Sequence, residues 1–219
     1  MFYFDSLNNK KILRSDRLKI NAFFTTRGWN SDDFLTLAPK VITPNQTHSD
    51  NVRIVNSSSE YPDTDGLIIA ESNTLVYLRF ADCTPIIFYD SVNKIGAVSH
   101  AGWRGTAKKI GVKTINKMKD NFGTNPKDIT ALIGPVIGMC CYEVSEEVKE
   151  ECLSTVKNKE GLYKNRNIDL KQINKRQLQE AGVENIDVVK YCTSCNNDLF
   201  YSYRKENGTK NRHYAAILL

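Results

Sequence analysis

Two of the three histidines in this 219-residue chain, His48 and His100, lie in polar or glycine-rich segments beside apolar runs, and Cys83 lies in a similar break. Two imidazoles and one thiolate are a ligand set that zinc accepts, and three protein ligands leave a fourth position for water or substrate. Such a metal lowers the pKa of bound water toward neutrality. The separations of 35 and 17 residues match no short zinc-finger spacing. Residue types alone leave open that Cys83 is a small buried hydrophobe and that the histidines are hydrogen-bonded loop residues.

The segment that follows His100, Gly102-Trp103-Arg104-Gly105-Thr106, could bind an anion. It leads into a predicted helix, whose first backbone N–H groups favour negative charge, and the guanidinium of Arg104 suits phosphate. Gly105 and Thr106 would supply the N–H groups. The alternative is that Arg104 pairs with a structural carboxylate.

Two aspartates are candidates for orienting the ligand histidines. Asp82 adjoins Cys83, and Asp65 precedes Gly66. A carboxylate that accepts the second ring N–H of a metal-binding histidine fixes the orientation of that ring. Asp65 could instead only cap the Asp-Gly turn.

The chain contains six cysteines: Cys83, Cys140, Cys141, Cys152, Cys192 and Cys195. The chain is long, shows no export signal and has two adjacent cysteines, so reduced thiols in the cytoplasm fit better than disulfides. Cys192 and Cys195 could be a redox pair, or half of a metal site that Cys140 and Cys141 would complete. We interpret His213, near the C-terminus, as structural.

The elements that must position these residues are predicted to be short buried strands and a few helices. Strands are predicted at 67–70, 75–80, 85–89, 95–99 and 129–133, with 85–89 and 95–99 paired as a hairpin. A second hairpin is predicted near the C-terminus, with strands at 199–203 and 214–218 around the turn Asn207-Gly208. Helices are predicted at about 106–121, where Gly123 ends the helix, from Ser145 as N-cap, and from about Asp169 to Gly182. Strands and helices alternate along the chain, but β-hairpins are frequent. This favours an α+β fold with a mixed sheet over a wholly parallel sheet.

Bulk composition favours a single domain spanning residues 1–219. Hydrophobic residues make up 41% and charged residues 25%, and we find no internal repeat, linker or membrane-spanning apolar run. Ser57-Ser58-Ser59 is predicted to be a short loop. The net charge of +5 is concentrated in residues 157–176, which we interpret as solvated surface, because no nucleic-acid-binding motif accompanies it. We therefore expect neither a nucleic-acid nor a membrane partner.

Six groups of residues resemble, in order, the signatures of one bacterial family. They are Gln46-Thr47-His48-Ser49-Asp50-Asn51-Val52, Asp65-Gly66-Leu67-Ile68, Ala81-Asp82-Cys83-Thr84-Pro85, His100-Ala101-Gly102-Trp103-Arg104-Gly105-Thr106, Gly134-Pro135 with Cys141-Tyr142-Glu143-Val144, and Cys192-Thr193 with Phe200-Tyr201-Ser202-Tyr203-Arg204. This is the YfiH-like family, which includes laccase-domain proteins known as polyphenol oxidases, purine nucleoside phosphorylases or peptidoglycan-editing factors. The resemblance runs from about Phe24 to the C-terminus.

The resemblance implies a layered α/β/β/α sandwich of mixed and antiparallel sheets. It implies a Zn²⁺ ion held by His48, Cys83 and His100. It also implies phosphorolysis of adenosine, inosine, guanosine and methylthioadenosine, and deamination of adenosine, so the expected partners are purine nucleosides and phosphate. Arg27 lies in a family motif and is a weaker candidate for binding substrate or phosphate. Arg204 also lies in a family motif and is a weaker candidate for a site residue.

One segment departs from the family pattern. Only residues 29–47 separate Gly28 from His48, which is shorter than is usual in the family, so we expect an altered pocket wall.

Three other functions compete with the nucleoside enzyme. The first is a copper phenol oxidase, which is less favoured because a multicopper oxygen site needs many more histidines than His213 alone could add. The second is a cysteine hydrolase that uses Cys83 as nucleophile, for example in editing peptidoglycan precursors. The third is a binding module without catalytic activity.

Overall fold

The computed structural model describes residues 1–58 and 60–219, so Ser59 of the predicted serine loop lies outside the described residues. Within these residues the chain forms two six-stranded sheets and a two-stranded ribbon. The strands are β1 (Phe2–Leu7), β2 (Lys10–Ser15), β3 (Asn21–Thr25), β4 (Lys40–Ile42), β5 (Val52–Ile54), β6 (Gly66–Ile69), β7 (Thr74–Phe80), β8 (Thr84–Asp90), β9 (Ile95–Ala101), β10 (Ile129–Ile133), β11 (Tyr163–Lys164), β12 (Asn167–Ile168), β13 (Asn185–Val188) and β14 (His213–Leu218).

The two large sheets pack face to face. The first has the order β1-β2-β3-β14-β7-β4 and is antiparallel apart from the β4–β7 pair. The second has the order β13-β10-β8-β9-β6-β5, with a parallel pair at each edge. The core between them combines side chains of both sheets, such as Phe24 and Leu78 from the first and Leu67 and Val98 from the second. Central strands rich in Val, Ile and Leu are buried on both faces because each sheet is covered on both sides.

The described residues form four α-helices: α1 (Trp103–Ala107), α2 (Ile110–Phe122), α3 (Glu146–Leu153) and α4 (Leu170–Glu180). Helices α2 and α4 cover the outer face of the second sheet, where Met118 and Leu178 pack with Phe88. The outer face of the first sheet is covered by a segment with a short 3-10 helix (Ser31–Phe34). The predicted α+β fold with layered mixed and antiparallel sheets is confirmed. No helix in the described part of the chain is both long and apolar enough to span a membrane.

The predicted helix at 106–121 is divided in the structure. Lys109 has a left-handed conformation with a φ of 55°, so it separates α1 from α2. Gly123, with a φ of 68°, ends α2 as predicted, because glycine adopts this conformation without a steric cost. Ser145 caps α3 as predicted, and Asp169 caps α4; each side chain accepts a backbone N–H of the first turn.

One predicted hairpin is confirmed and the other is wrong. Strands β8 and β9 pair as the antiparallel hairpin that the sequence predicts. Residues 199–203 are not a strand, because the carboxylate of Glu206 accepts the N–H of Ser202 and the segment folds into turns. Asn207 and Gly208 have positive φ values of 50° and 97°, but their turn belongs to this local loop. Strand β14 pairs instead with β3 and β7 in the first sheet.

Candidate metal centre and its cavity

His48 lies in the loop between β4 and β5 and has a positive φ of 62°. This loop is folded around the buried carboxylate of Asp65, which immediately precedes β6. The carboxylate accepts the backbone N–H groups of Thr47, His48 and Ser49 at 3.1, 3.2 and 2.7 Å. Three N–H groups that converge on one anion hold the backbone of His48 in a conformation that few L-residues adopt.

His100 lies at the end of β9 and is buried. Its Nδ1 atom is 2.7 Å from Oδ1 of Asp65, and its backbone N–H donates to the Asp65 carbonyl at 2.7 Å. A hydrogen bond to a carboxylate keeps the proton on Nδ1, so Nε2 is left for a ligand. Asp65 therefore fixes the positions of both histidines.

Cys83 lies in the break between β7 and β8, directly after Asp82, which has a φ of 81°. The carboxylate of Asp82 accepts the hydroxyl of Thr193 at 2.5 Å and the backbone N–H of Arg204 at 2.7 Å. Asp82 therefore ties the turn of Cys83 to the loops that follow β13. Its hydrogen bonds go to these loops, whereas those of Asp65 go to the histidine segments.

The electrostatics of the site favour a thiolate. Burial raises the pKa of the Cys83 thiol, but the neighbouring His100 and His48 outweigh burial and bring it to about 6. Burial lowers the pKa of His100, but Cys83 and Asp65 outweigh burial and raise it to about 9. Thiolate is the form of cysteine that binds metal ions and attacks electrophiles, so Cys83 is prepared for either chemistry at neutral pH.

The donor atoms of His48, Cys83 and His100 all lie within 4.8 Å of one another. The two imidazole centroids are 4.9 Å apart and the ring planes are inclined by 71°. A Cβ atom at Gly102 would lie 2.9 Å from Sγ of Cys83 and 3.4 Å from Cδ2 of His48, so glycine leaves these side chains room to converge. The three side chains thus come together in an arrangement that can hold a metal ion.

A cavity of about 700 Å³ opens beside these three side chains. A cavity of this size can enclose much of a small organic molecule. Its lining consists of Gln46, His48, Arg79, Ala81, Asp82, Cys83, His100, Tyr142, Tyr203, Arg204, Lys210 and Arg212.

Positive charge dominates the wall of the cavity, with cations from Arg79, Arg204, Lys210 and Arg212. Asp82 is the one carboxylate in the described lining, and it already accepts two hydrogen bonds. Convergent cations in a cleft raise the local concentration of anions. The cavity is therefore suited to a substrate that is anionic or reacts with an anion.

Two tyrosines give the cavity aromatic surface. The guanidinium of Arg204 lies 5.4 Å from the ring centroid of Tyr142. Burial is the main cause of the raised pKa of the Tyr142 phenol, so this group stays protonated and can donate a hydrogen bond. Tyr203 is largely exposed at the mouth of the cavity. Aromatic faces next to cations are suited to stacking against a flat base.

The residues predicted to bind phosphate lie outside the described cavity lining. The side chain of Arg104 is exposed, and its guanidinium lies 4.3 Å from the ring centroid of Trp103. The hydroxyl of Thr106 is buried and accepts a hydrogen bond from Asn174 at 2.9 Å. A Cβ atom at Gly105 would lie 3.1 Å from a carbonyl oxygen of β9. Thr106 and Gly105 therefore pack α1 against its neighbours.

Arg27 also makes contacts outside the cavity lining. Its Nη2 atom is 2.6 Å from the carboxylate of Glu206, and Nε donates to the carbonyl of Asn197 at 2.5 Å. The guanidinium lies 4.3 Å from the ring centroid of Tyr201. Arg27 therefore joins the end of β3 to the segment before β14, which carries Tyr203 and the cavity residues Arg204, Lys210 and Arg212.

Sequence reasoning did not single out Arg79, Lys210 or Arg212. Arg79 has a signal that could have identified it, since it is the charged residue of the otherwise apolar and buried strand β7. Lys210 and Arg212 lie in a polar stretch before β14 and differ in no visible way from other surface cations. Their place in the cavity depends on how that loop folds.

His213 lies in the core of the first sheet, outside the group formed by His48, Cys83 and His100. It is fully buried, and its ring centroid is 5.5 Å from that of Phe200 and 6.5 Å from that of Phe80. Burial lowers its pKa to about 3, so the imidazole is neutral at physiological pH. Its setting is that of a structural side chain.

Comparisons with known proteins agree with this architecture. The family described as multi-copper polyphenol oxidoreductase laccase matches residues 25–219. A purine nucleoside phosphorylase of Clostridium acetobutylicum is 37% identical over 175 residues, which are 79% of this chain and 74% of that protein. Purine nucleoside phosphorylase YlmD of Bacillus subtilis is 34% identical over 211 residues, 87% of this chain and 75% of that protein. The chain belongs to the YfiH-like, laccase-domain family.

Solved structures of this family share the fold over nearly the whole chain. YlmD from Geobacillus stearothermophilus superposes with a TM-score of 0.88 at 28% identity and covers 98% of this chain and 97% of its own. YfiH from Bacillus licheniformis gives a TM-score of 0.88 at 28% identity, with 99% and 98% covered. The family predicted from the sequence motifs is thereby confirmed.

Proposed function

We propose that this chain is a zinc-dependent purine nucleoside enzyme of the cytoplasm. It cleaves adenosine, inosine, guanosine and methylthioadenosine with phosphate, and it also deaminates adenosine. The observation that carries the proposal is the convergence of His48, Cys83 and His100 beside a cavity with a cationic wall. Relatives named purine nucleoside phosphorylase, at 34% and 37% identity, support the class of substrate.

His48, Cys83 and His100 are the residues that would hold the zinc ion. Their two nitrogens and one sulfur suit zinc, and three protein ligands leave one coordination position open. When bound, zinc supplies a Lewis acid beside the substrate. The third histidine, His213, is buried in the sheet core, so the described residues provide no histidine cluster for a multicopper oxygen site.

The cations of the cavity wall would bind and orient phosphate. In phosphorolysis, a phosphate oxygen forms a bond to the ribose C1′ while the bond from C1′ to the purine nitrogen breaks, and the purine leaves with the electron pair. Arg79, Arg204 and Arg212 can neutralise the phosphate and hold it against the sugar. The protonated phenol of Tyr142 can donate a hydrogen bond to the departing purine.

Deamination of adenosine requires a different orientation of the same substrate. Water adds to the purine C6 carbon and ammonia leaves, so the base rather than the ribose must face the three ligand residues. The hydrogen bond from His100 to Asp65 keeps the imidazole fixed in either orientation. The cavity of about 700 Å³ offers room for both orientations.

One observation favours a second candidate function, a cysteine hydrolase. The lowered pKa of Cys83, about 6, and the raised pKa of His100, about 9, describe a thiolate beside an imidazolium. This pair is also the starting state of a cysteine nucleophile with a histidine partner. Metal content separates the two candidates, because a thiolate bound to zinc is a poor free nucleophile.

The proposal is tested by measuring metal and products on the same purified protein. We expect zinc in the protein, adenine from adenosine when phosphate is present, and inosine without phosphate, each followed by chromatography. Cys83→Ala is expected to lose both products. Cys152→Ala removes a buried cysteine outside the three-residue centre and is expected to retain both. Protein without zinc that forms neither adenine nor inosine would overturn the proposal.

A further inference from the structure

A second group of potential metal ligands lies outside the site described above. The sulfur atoms of Cys140, Cys141, Cys192 and Cys195 all lie within 4.8 Å of one another. Sγ of Cys195 is 3.5 Å from Sγ of Cys140 and 3.5 Å from Sγ of Cys141. Cys192 is buried, whereas Cys140 and Cys195 are exposed. Two pairs of residues more than 50 positions apart thus place four thiols around one point near the surface.

The backbone aligns the two pairs of cysteines. A turn from Gly138 to Cys141 is closed by a 2.9 Å hydrogen bond, and a turn from Cys192 to Asn196 is closed by another of 2.9 Å. A parallel bridge between Val136 and Cys192 sets the two segments side by side. The four sulfurs therefore converge because of backbone pairing, not because flexible side chains happen to meet.

Gly138 brings the backbone close to the sulfurs. Its N–H donates to Sγ of Cys192 at 3.1 Å. A Cβ atom here would lie 3.3 Å from Sγ of Cys140 and 3.5 Å from Sγ of Cys192, so a larger residue would crowd the cluster. A backbone N–H directed at sulfur stabilises a thiolate, which is the form that binds a metal ion.

A buried cation lies close enough to interact with the cluster. Lys171 is 8% exposed, and its ammonium donates to the carbonyl of Tyr191 at 3.3 Å. No carboxylate of the described residues lies within 4.0 Å of it. Its electrostatic partners are Asp169 first, and then Cys192 and Cys140. A buried cation is stabilised by a neighbouring anion, and four thiolates around a divalent ion carry a net negative charge.

We propose that Cys140, Cys141, Cys192 and Cys195 bind a structural zinc ion. Four sulfurs at about 2.3 Å from a tetrahedral zinc lie about 3.8 Å apart, and the sulfur separations in the cluster, from 3.5 Å to at most 4.8 Å, bracket this value. Binding replaces the thiol protons, which leave to solvent, and involves no oxidation. With four protein ligands the coordination is complete, so this ion has no position for substrate.

The ion would join two loops that border the cavity. Tyr142, which lines the cavity, directly follows Cys141. Thr193, which directly follows Cys192, donates its hydroxyl to Asp82 next to Cys83. Loss of the ion would therefore free the loops that carry Tyr142 and Thr193. We expect lower thermal stability and weaker substrate binding, with little change in the chemistry at His48, Cys83 and His100.

The proposal does not depend on the function of the first site, because the experiment removes that site. The double variant His48→Ala/Cys83→Ala, purified as the full chain, is expected to retain one equivalent of zinc. Adding Cys140→Ser and Cys195→Ser is expected to abolish this zinc, whereas adding Cys152→Ser, a matched change of a cysteine outside the cluster, keeps it. Cobalt in place of zinc should give the intense absorption of thiolate-to-cobalt charge transfer.

Alkylation gives a second readout if the cluster variants fold poorly. In the double variant with the cluster intact, the exposed thiols of Cys140 and Cys195 are expected to react slowly with iodoacetamide and quickly after a chelator is added. Three results would overturn the proposal: a double variant that binds no zinc in titration, bound iron in place of zinc, or a disulfide within the cluster in the mass spectrum of unreduced protein.

Discussion

The two cysteine-containing groups of this molecule differ in how many candidate metal ligands the protein brings together. At the first, Asp65 fixes two histidines beside one cysteine, and a cavity of about 700 Å³ opens next to them. At the second, four sulfurs surround a point between two turns. A centre with three protein ligands can admit substrate, whereas one with four is complete and can only hold its loops together. Ligand number, rather than the presence of cysteine, separates the two expected roles.

The largest effect is expected from removing the cysteine of the open centre. Loss of a residue that hydrogen-bonds a metal ligand typically lowers activity by roughly 10- to 100-fold. Cys83→Ala removes a proposed ligand itself, so it should lower kcat/KM for adenosine phosphorolysis by more than this. Zinc content should fall by one equivalent while the four-cysteine cluster keeps its ion. Steady-state kinetics and metal analysis check this. If activity persisted in Cys83→Ala, the comparison between an open catalytic centre and a closed structural one would fail.

A somewhat smaller effect is expected at Asp65. Asp65→Asn replaces an oxygen that accepts N–H groups by an amide nitrogen, and it removes the charge that holds His100. Zinc affinity and kcat/KM should each fall by about 10- to 100-fold. Competition with a zinc chelator and steady-state kinetics measure the two quantities. Asp50→Asn, on the surface of the same loop, is the matched control, and an equal loss in both variants would show that the effect is not specific to Asp65.

The arginines of the cavity wall, rather than Arg104, are predicted to bind phosphate. Arg212→Ala should raise the phosphate KM by roughly 10-fold or more, because a charge-assisted hydrogen bond contributes about 1.5–3 kcal/mol. Arg104→Ala should leave the phosphate KM nearly unchanged, since its guanidinium stacks on Trp103 outside the described lining. Phosphate titrations of the two variants are compared directly. The reverse pattern would restore the assignment that the sequence suggested for Arg104.

The hydroxyl of Thr193 joins the segment of Cys192 to Asp82 beside Cys83, and its removal should have a modest effect. Thr193→Val deletes the 2.5 Å hydrogen bond to Asp82 but keeps the shape of the side chain. We expect KM for nucleoside to rise within about tenfold and zinc content to stay the same, because each ligand set is intact. Kinetics with metal analysis test this. A loss of zinc in Thr193→Val would show that the two centres are not independent.

His213 belongs to neither centre, and its effect should be confined to stability. Burial lowers its pKa to about 3 from 6.5, so the folded protein binds fewer protons than the unfolded chain between these values. Its stabilising contribution is therefore present above pH 6.5 and is lost as the pH falls toward 3. In His213→Leu, the free energy of unfolding should decline less steeply as the pH falls from 6.5 toward 3. The slopes of the variant and the unaltered protein should differ by up to about 1.4 kcal/mol per pH unit. Urea unfolding of metal-free protein measures the slopes, and identical slopes would contradict this.

Much of the second sheet could be predicted from the sequence because its strands are continuous apolar runs. The hairpin of β8 and β9 and the caps at Ser145 and Asp169 have local signals that tertiary packing did not override. The prediction of a C-terminal hairpin was wrong because Asn207-Gly208 specifies a turn but not which strand pairs with β14. The pairing of β14 with β3 depends on residues about 190 positions apart, and such long-range pairing has no local signal.

Within the candidate site, the sequence indicated the three residues that converge better than the cavity around them. His48, Cys83 and His100 were recognisable because histidine is scarce in this chain and all three residues lie in family motifs. Arg212 and Lys210 were not, since a surface loop that folds over a cavity has the same composition as one that does not. Phosphate binding was suggested for Arg104 because it lies at the start of a predicted long helix. In the structure this helix is only α1, which ends at Ala107.

The most direct test of the account is anomalous diffraction at the zinc edge from crystals of the full chain. The account predicts a peak bonded to His48, Cys83 and His100, with a zinc–sulfur distance of about 2.3 Å and zinc–nitrogen distances of about 2.0–2.1 Å. The fourth position should be open to the cavity. Crystals of protein that turns over nucleosides but shows no metal between these three residues would contradict it.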